Sequence, residues 1–215
     1  MIIKKAMILA AGFGKRMVPL TIRTPKPLVK IGPKNLLERS IELLIKLGVD
    51  EIVINTHYLS SQIDDFIKSK NYQISINSIK EEILLDTGGG ILNATMRFKN
   101  NPFFVVNPDT IWNKNYYEEL KILEYSYLKN NKSVLLLVDK NISYDKSFKG
   151  DFNLKKNKYI SRENRNQYIF TGAQIINRSI FEGIKEKVFS MNLVWDKMMK
   201  EKKLLGQESN QTFFH

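Results

Sequence analysis

Short apolar runs alternate with helically spaced apolar positions through the first two thirds of the chain. Ala6–Ala10 is an unbroken apolar run with the length of a buried strand. Leu36, Leu37, Ile41, Leu44 and Ile45 fall near helical spacing, so Asn35–Leu47 reads as a helix, with Gly48 suited to its stop. Glu51–Asn55 reads as a strand, Ser61–Lys68 as a helix, and Tyr72–Asn77 alternates like a half-buried strand. A helix over Gly90–Phe98 would be opened by a glycine run. A buried strand at Phe103–Val106, a helix at Tyr116–Lys129 and another buried strand at Ser133–Val138 follow.

This β-α alternation predicts an α/β fold with a mostly parallel central sheet and helices on both faces. After Asp139 the pattern changes. Asp151–Leu154, Tyr159–Ser161 and Tyr168–Ile176 look like antiparallel strands, and helical stretches follow at Ser179–Ile184 and Met191–Lys202. With no repeat or linker, residues 1–215 read as one domain.

Composition narrows the chemistry. There are no cysteines, which excludes disulfides and thiolate chemistry, and the only histidines are His57 and His215. A Ser-His-Asp triad or a His-rich metal centre finds little support. A metal would rest on carboxylates and phosphates, which points to Mg²⁺. The net charge of +12 is dispersed, which favours solvated lysines or attraction of small phosphorylated substrates over nucleic acid. No apolar run approaches the roughly 20 residues that cross a bilayer. Met1-Ile2-Ile3-Lys4-Lys5 lacks the long apolar stretch of a signal peptide, so no membrane partner and a cytoplasmic location are expected.

The densest candidate chemistry follows the first strand, in Leu9-Ala10-Ala11-Gly12-Phe13-Gly14-Lys15-Arg16 and on to Pro25-Lys26-Pro27-Leu28. Small residues let backbone approach a ligand, and cations neutralise phosphate oxygens. Met17 stands where a dinucleotide motif needs its third glycine, and no P-loop spacing occurs. Pro19, Pro25, Pro27 and Pro33 exclude a regular helix, leaving a long ordered loop at the C-terminal end of strand one. Ligands of open α/β sheets bind at such ends. Asp109, just after the run Phe103–Val106, is placed either to bind Mg²⁺ or to form a turn after Pro108. His57 and Trp195 read as packing or surface residues.

The opening loop, taken through Thr24-Pro25-Lys26-Pro27-Leu28-Val29, resembles that of the sugar-1-phosphate nucleotidylyltransferases. Glu51–Asn55, Asp86-Thr87-Gly88-Gly89-Gly90-Ile91, Val106-Asn107-Pro108-Asp109 and Gly150-Asp151-Phe152 follow in the order of that family. The glycine run and the Gly-Asp-Phe look most like its N-acetylmuramate α-1-phosphate uridylyltransferases, with mannose-1-phosphate guanylyltransferases next. The resemblance implies a Rossmann-like nucleotide-diphospho-sugar transferase fold. Its nucleotide-binding core would span residues 1–139, and a sugar-side part with a small antiparallel extension residues 140–215. It also implies a nucleoside triphosphate (UTP first, GTP second), a sugar 1-phosphate, Mg²⁺, and a monomer or homodimer.

Site roles follow from the same likeness. Arg16 would hold the leaving phosphates, and Lys26 would bridge the α-phosphate and the sugar phosphate. Asp109 would bind the metal. Leu9, Ala10, Ala11, Gly12, Phe13, Gly14, Lys15, Gly88, Gly89 and Asn107 would line the nucleotide, and Asp151, Thr171 and Gly172 the sugar. Three departures stand out. Pro108 replaces the glycine before the metal aspartate, removing an N–H. Ser161-Arg162-Glu163-Asn164 replaces a glutamate-lysine-proline run, so Arg162 or Arg165 would take the place of its lysine. The W-x-D-x-G-T motif expected to supply another magnesium ligand would begin about where Gln211-Thr212-Phe213-Phe214-His215 stands. A non-catalytic nucleotide-sugar-binding module is the expectation of another class.

Overall fold

A computed structural model describes residues 2–215. One seven-stranded sheet organises the chain. Its strands are β1 (Lys5–Leu9), β4 (Glu51–Thr56), β5 (Ser75–Lys80), β6 (Phe103–Val106), β7 (Ser133–Asp139), β10 (Tyr168–Ile176) and β11 (Leu204–Ser209), in the order β11-β7-β10-β6-β1-β4-β5. Only β10 runs antiparallel to its neighbours. Two small antiparallel ribbons flank the sheet: β2 (Lys30–Ile31) with β3 (Lys34–Asn35), and β8 (Asn153–Leu154) with β9 (Ile160–Ser161).

The strands read as continuous apolar runs because both sheet faces are covered. Ala6, Ile8, Ile52, Ile54, Phe104, Val106, Val134 and Leu136 point into one core, with side chains of α1 (Leu36–Lys46), α2 (Ser60–Ser69) and α4 (Tyr116–Asn130). Met7, Val53, Phe103, Val105, Leu135 and Leu137 point into the other, beneath α3 (Asp86–Ala94) and α5 (Met191–Lys200). The alternation is the period of two that a pleated strand imposes. Helix α1 starts where expected because Asn35 Oδ1 accepts the Glu38 N–H at 2.7 Å. Among the described residues no helix is long and apolar enough to cross a membrane.

Several boundaries differ from expectation. Helix α3 begins at Asp86, so Gly88–Gly90 lie inside it rather than at its entrance. The Phe189 carbonyl accepts from both Gly88 and Gly89 N–H, supplying that helix start with a partner a hundred residues away in sequence. Strand β5 begins at Ser75, three residues late, because Tyr72 and Ile74 pack against the core before pairing starts. Tyr168–Ile176 belongs to the central sheet, and only β8 and β9 form the small antiparallel extension. Ser179–Ile184 contains a single 3-10 turn, Arg178–Phe181, and α5 ends at Lys200. Strand β11 was not expected: its Leu-Leu-Gly-Gln-Glu-Ser sequence lacks β-branched residues. Gly206 leaves room there for Ile160, Leu137 and Leu154, which a Cβ would meet at 2.7–2.8 Å.

Candidate active site

The cleft opens at the C-terminal ends of β1, β4 and β6, where the chain turns from strand to loop. A buried polar relay fixes its floor. The Ala10 N–H donates to Asn55 Oδ1 at 2.9 Å, and Asn55 Nδ2 donates to Glu81 Oε1 at 2.7 Å. The Leu85 N–H donates to Glu81 Oε2 at 3.0 Å. Asn55 and Glu81 are both 2% exposed, so these bonds satisfy groups that water cannot reach. The relay ties the β1 loop to β4 and to the segment entering α3. Sequence reasoning missed both residues. The available signal was an asparagine ending the apolar run Ile52-Val53-Ile54.

The loop after β1 holds its shape through short 3-10 turns at Lys15–Met17 and Lys26–Leu28, in place of a helix. Thr21 Oγ1 donates to the Gly14 carbonyl at 2.9 Å. Gly14 takes φ +64°, and a Cβ there would meet Thr21 Cγ2 at 2.9 Å and Lys26 Cβ at 3.0 Å. That close approach brings Lys26 back across the loop. On the outer side, Tyr58 Oη donates to the Ile22 carbonyl and Gln62 Nε2 to the Arg23 carbonyl, anchoring the loop to α2 and the turn that precedes it. Phe13 lies edge-on to His57, with ring centroids 5.6 Å apart, and Lys15 sits over the Phe13 ring.

Lys26 and Asp109 meet. Lys26 Nζ lies 2.6 Å from Asp109 Oδ2, and the two side chains are each 20% exposed. His215 Nε2 approaches the same oxygen at 3.1 Å. Burial pushes the Asp109 carboxyl up, but His215 and Lys26 outweigh it and hold it well below the ordinary carboxylate range. The group therefore stays ionised. Its other oxygen, Oδ1, is buried and has no hydrogen-bond partner. A buried anionic oxygen without a partner fits a cation. Among the described residues no third His, Cys, Asp or Glu completes a metal cluster, so phosphate oxygens and water would have to complete the shell.

Two adjoining hollows share Leu9, Gly12 and Asp109. One, about 360 Å³, is lined by Ala10, Phe13, Gly14, Lys15, Arg16 and Lys26 as well. The other, about 440 Å³, is lined by Ala11, Asn55, Glu81, Leu84, Asp86, Thr87 and Asn107. The loop residues expected at a nucleotide therefore surround one continuous cleft. Arg16 is exposed, and no hydrogen bond or ion pair holds its guanidinium among the described residues.

Other expected residues sit differently. Gly88 and Gly89 are buried and do not line either hollow: a Cβ on Gly88 would meet Phe189 Cε2 at 2.4 Å, and one on Gly89 the Lys187 carbonyl oxygen at 2.4 Å. These glycines make room for protein, and their N–H groups are already donated. Thr171 is also buried; its hydroxyl donates to the Leu136 carbonyl at 2.9 Å, and its carbonyl accepts from Thr110 Oγ1. It locks the bulge of β10 rather than facing a ligand. Gly172, at φ +91°, carries that bulge and accepts the Asn107 N–H at 2.8 Å; a Cβ there would collide with the Asn107 Cβ at 2.8 Å. Gly172 thus positions Asn107, whose carbonyl also accepts Trp112 Nε1–H. Asp151 Oδ2 accepts the Phe170 N–H at 2.8 Å, fastening the β8 approach to β10. Arg162 lies over the Phe152 ring, pairs with Asp196 and Asn192, and reaches the Asp151 carbonyl with its Nε–H at 3.4 Å. His57 is half-buried, with Nδ1 2.7 Å from the Glu81 carbonyl, and Trp195 packs between Phe152 and Phe170.

Comparison with known proteins identifies the family. The family described as nucleotidyl transferase matches residues 5–142. An N-acetylmuramate alpha-1-phosphate uridylyltransferase from Neisseria meningitidis is 33% identical over 209 residues, 95% of this chain and 89% of its own. A mannose-1-phosphate guanylyltransferase catalytic subunit beta from Dictyostelium discoideum is 36% identical over 110 residues, 50% of this chain and 31% of its own. Other relatives also match over about half of this chain and 31–47% of their own length. The crystal structure of HddC from Yersinia pseudotuberculosis complexed with GMP-PN superposes with a TM-score of 0.77 at 25% identity, over 98% of this chain and 92% of that one. By the extent of the family match and the near full-length likeness to the Neisseria protein, this chain belongs to the nucleotidyl transferase family, alongside relatives named as sugar-1-phosphate uridylyl- and guanylyltransferases.

Proposed function

We propose that the chain is a sugar-1-phosphate nucleotidylyltransferase. An oxygen of the sugar phosphate attacks the α-phosphorus of a nucleoside triphosphate, and the bond to pyrophosphate breaks. The nucleophile is already an anion, so the site needs no strong base. The observation that carries this reading is the meeting of Lys26 and Asp109 beside Arg16, which has no protein partner among the described residues, in a cleft at the strand ends.

Within that reading, Arg16 neutralises the departing β- and γ-phosphates. Lys26 leaves Asp109 to bridge the α-phosphate and the incoming phosphate. Asp109, whose Oδ1 is buried without a partner, would hold Mg²⁺, and the bound ion would withdraw charge from the α-phosphate. Asn107, positioned by Gly172, faces the nucleotide. The substrate pair is UTP with N-acetylmuramate 1-phosphate, supported by the near full-length match to the Neisseria protein. GTP with mannose 1-phosphate is the alternative, supported by the Dictyostelium likeness and by the GMP-PN of HddC.

Pyrophosphate release measured over a matrix of nucleoside triphosphates and sugar 1-phosphates tests the activity. UTP with N-acetylmuramate 1-phosphate is expected to turn over fastest; silence with every pair at high Mg²⁺ would sink the enzyme reading. Tight nucleotide binding without release would favour a non-catalytic nucleotide-sugar-binding module, in keeping with the N–H lost at Pro108. Asp109→Asn is nearly isosteric and should lower release by at least about 10²-fold, the effect of losing one preorganised charge partner. Near-normal release in that variant would remove Asp109 from the metal site.

A further inference from the structure

We propose that the pole of the molecule opposite the cleft docks on an anionic phospholipid surface, through lysines that three separate turns bring together.

The sheet gathers these turns. In the register of β7 with β11, Ser133 lies beside Leu204, so Lys132 and Lys203, each one residue earlier, become neighbours. The turn between β8 and β9 lies along β11: the Gly206 N–H donates to the Lys158 carbonyl at 2.8 Å, and Tyr159 bridges Leu205. Lys132 Nζ reaches Tyr159 Oη at 2.6 Å and closes the group. Lys129, Lys155, Lys156, Lys158, Lys202 and Lys203 are all exposed. Glu201 is the one carboxylate in these turns, and it pairs with Lys203 at 2.7 Å. Seven lysines against one glutamate leave +6, half the chain's net charge of +12. The charge is scattered along the sequence and concentrated by the fold.

This pole faces away from the chemistry. Since β10 alone runs antiparallel, β7 and β11 share the direction of β1 and β6. Their N-terminal ends therefore lie opposite the strand ends that carry the cleft, which stays open to water when the pole is docked.

The make-up of the patch selects a lipid surface. Lysine ammonium groups are point charges, suited to a diffuse anionic layer, and these turns contain no arginine fork for a nucleic-acid phosphate. The Tyr159 ring is covered by Lys132, whose Nζ lies 4.9 Å from its centroid, so it offers no platform to a base. Helix α4 extends the patch with an apolar pair. Ile122 and Tyr125 are 48% and 64% exposed and share one helix face with Lys129, at spacings of three and seven. An aliphatic and an amphipathic aromatic side chain beside lysines suit the headgroup region of a bilayer. Among the described residues no helix is long and apolar enough to cross a membrane, so the contact is peripheral.

Co-sedimentation of the full chain with vesicles tests this, at about 0.1 M salt, where charges act over roughly 10 Å. Vesicles of phosphatidylglycerol mixed with phosphatidylcholine should carry the protein down, and phosphatidylcholine alone should not. K129Q, K155Q, K156Q and K203Q together should weaken binding by about 10²–10³-fold, about fivefold for each lysine. K30Q, K68Q, K185Q and K187Q together remove the same charge from exposed positions elsewhere and should leave binding close to that of the unaltered protein. Ile122→Ser with Tyr125→Ser should weaken vesicle binding by about tenfold, through lost apolar burial. Pyrophosphate release in solution and melting temperature should be unmoved in both lysine sets, which confirms that they fold. No retention by phosphatidylglycerol, an equal loss in the two lysine sets, or capture of single-stranded RNA in place of vesicles would each overturn the proposal.

Discussion

Two walls of the cleft carry glycines, and they use them in opposite ways. In the loop after β1, a Cβ on Gly12 would meet nothing within 4 Å, and the neighbouring Arg16 has no protein partner among the described residues. In α3, Cβ atoms on Gly88, Gly89 and Gly90 would strike Phe189, the Lys187 carbonyl, and Asn55 with Glu81, at 2.4–2.8 Å. The first wall leaves space and charge for a ligand, while the second spends both on the fold. What lines the cleft on the α3 side is instead Leu84, Asp86 and Thr87, just ahead of the glycines. A glycine run beside a cleft therefore does not identify a ligand contact. The space its missing side chain leaves can be filled by the protein.

The sharpest way to break this contrast is Arg16→Ala. On the open wall it should cut kcat/KM for pyrophosphate release by about 10²–10³-fold, as loss of one aimed charge does. Stability should stay within about 0.5 kcal/mol, since no buried partner is removed. A large fall in melting temperature would mean that Arg16 serves the fold, and the two walls would no longer differ. On the crowded wall, Gly89→Ala reverses the pattern. Helix propensity alone would make it stabilising by about 1 kcal/mol. The collision with the Lys187 carbonyl, a backbone atom that cannot swing aside, should instead destabilise by about 1–3 kcal/mol. A urea midpoint that falls with an unchanged slope would show it. A midpoint that rises would place the glycine in service of a ligand after all.

The contrast also explains how much could be read beforehand. The parallel half of the sheet was legible because β1, β4, β6 and β7 are covered on both faces and so appear as apolar runs. Lys26 and Asp109, 83 residues apart, each drew a separate role from the family resemblance, and the structure brings their side chains together. Thr171 and Asp151 were expected at a sugar, yet their hydrogen bonds belong to the β10 bulge, which nothing local announces. Asn55 and Glu81 went unnoticed because their partnership joins β4 to the segment before α3, and each alone looks like an ordinary polar residue. Strand β11 was missed for a related reason. It is held by pairing with β7 and by the space at Gly206, both long-range properties. Local pattern reports burial well, and reports the partners of a polar group poorly.

The smallest expected effect isolates the open wall itself. Gly12 does not occupy the left-handed region, so alanine fits its backbone without strain. With no protein atom near the added methyl, stability should be unchanged or slightly raised through the lower entropy of the unfolded chain. The methyl would stand in the cleft, where Gly12 borders both hollows. UTP binding by calorimetry should therefore weaken by about tenfold, roughly 1.4 kcal/mol. Gly14, two residues on, supplies the contrast within one loop. Its φ of +64° and the 2.9 Å approach to Thr21 Cγ2 put it with the crowded glycines of α3. Gly14→Ala should lower stability and displace Lys26, so that binding and melting temperature fall together. If Gly12→Ala bound UTP like the unaltered protein, the open wall would owe its affinity to its cations alone, and the missing side chain at Gly12 would serve no ligand.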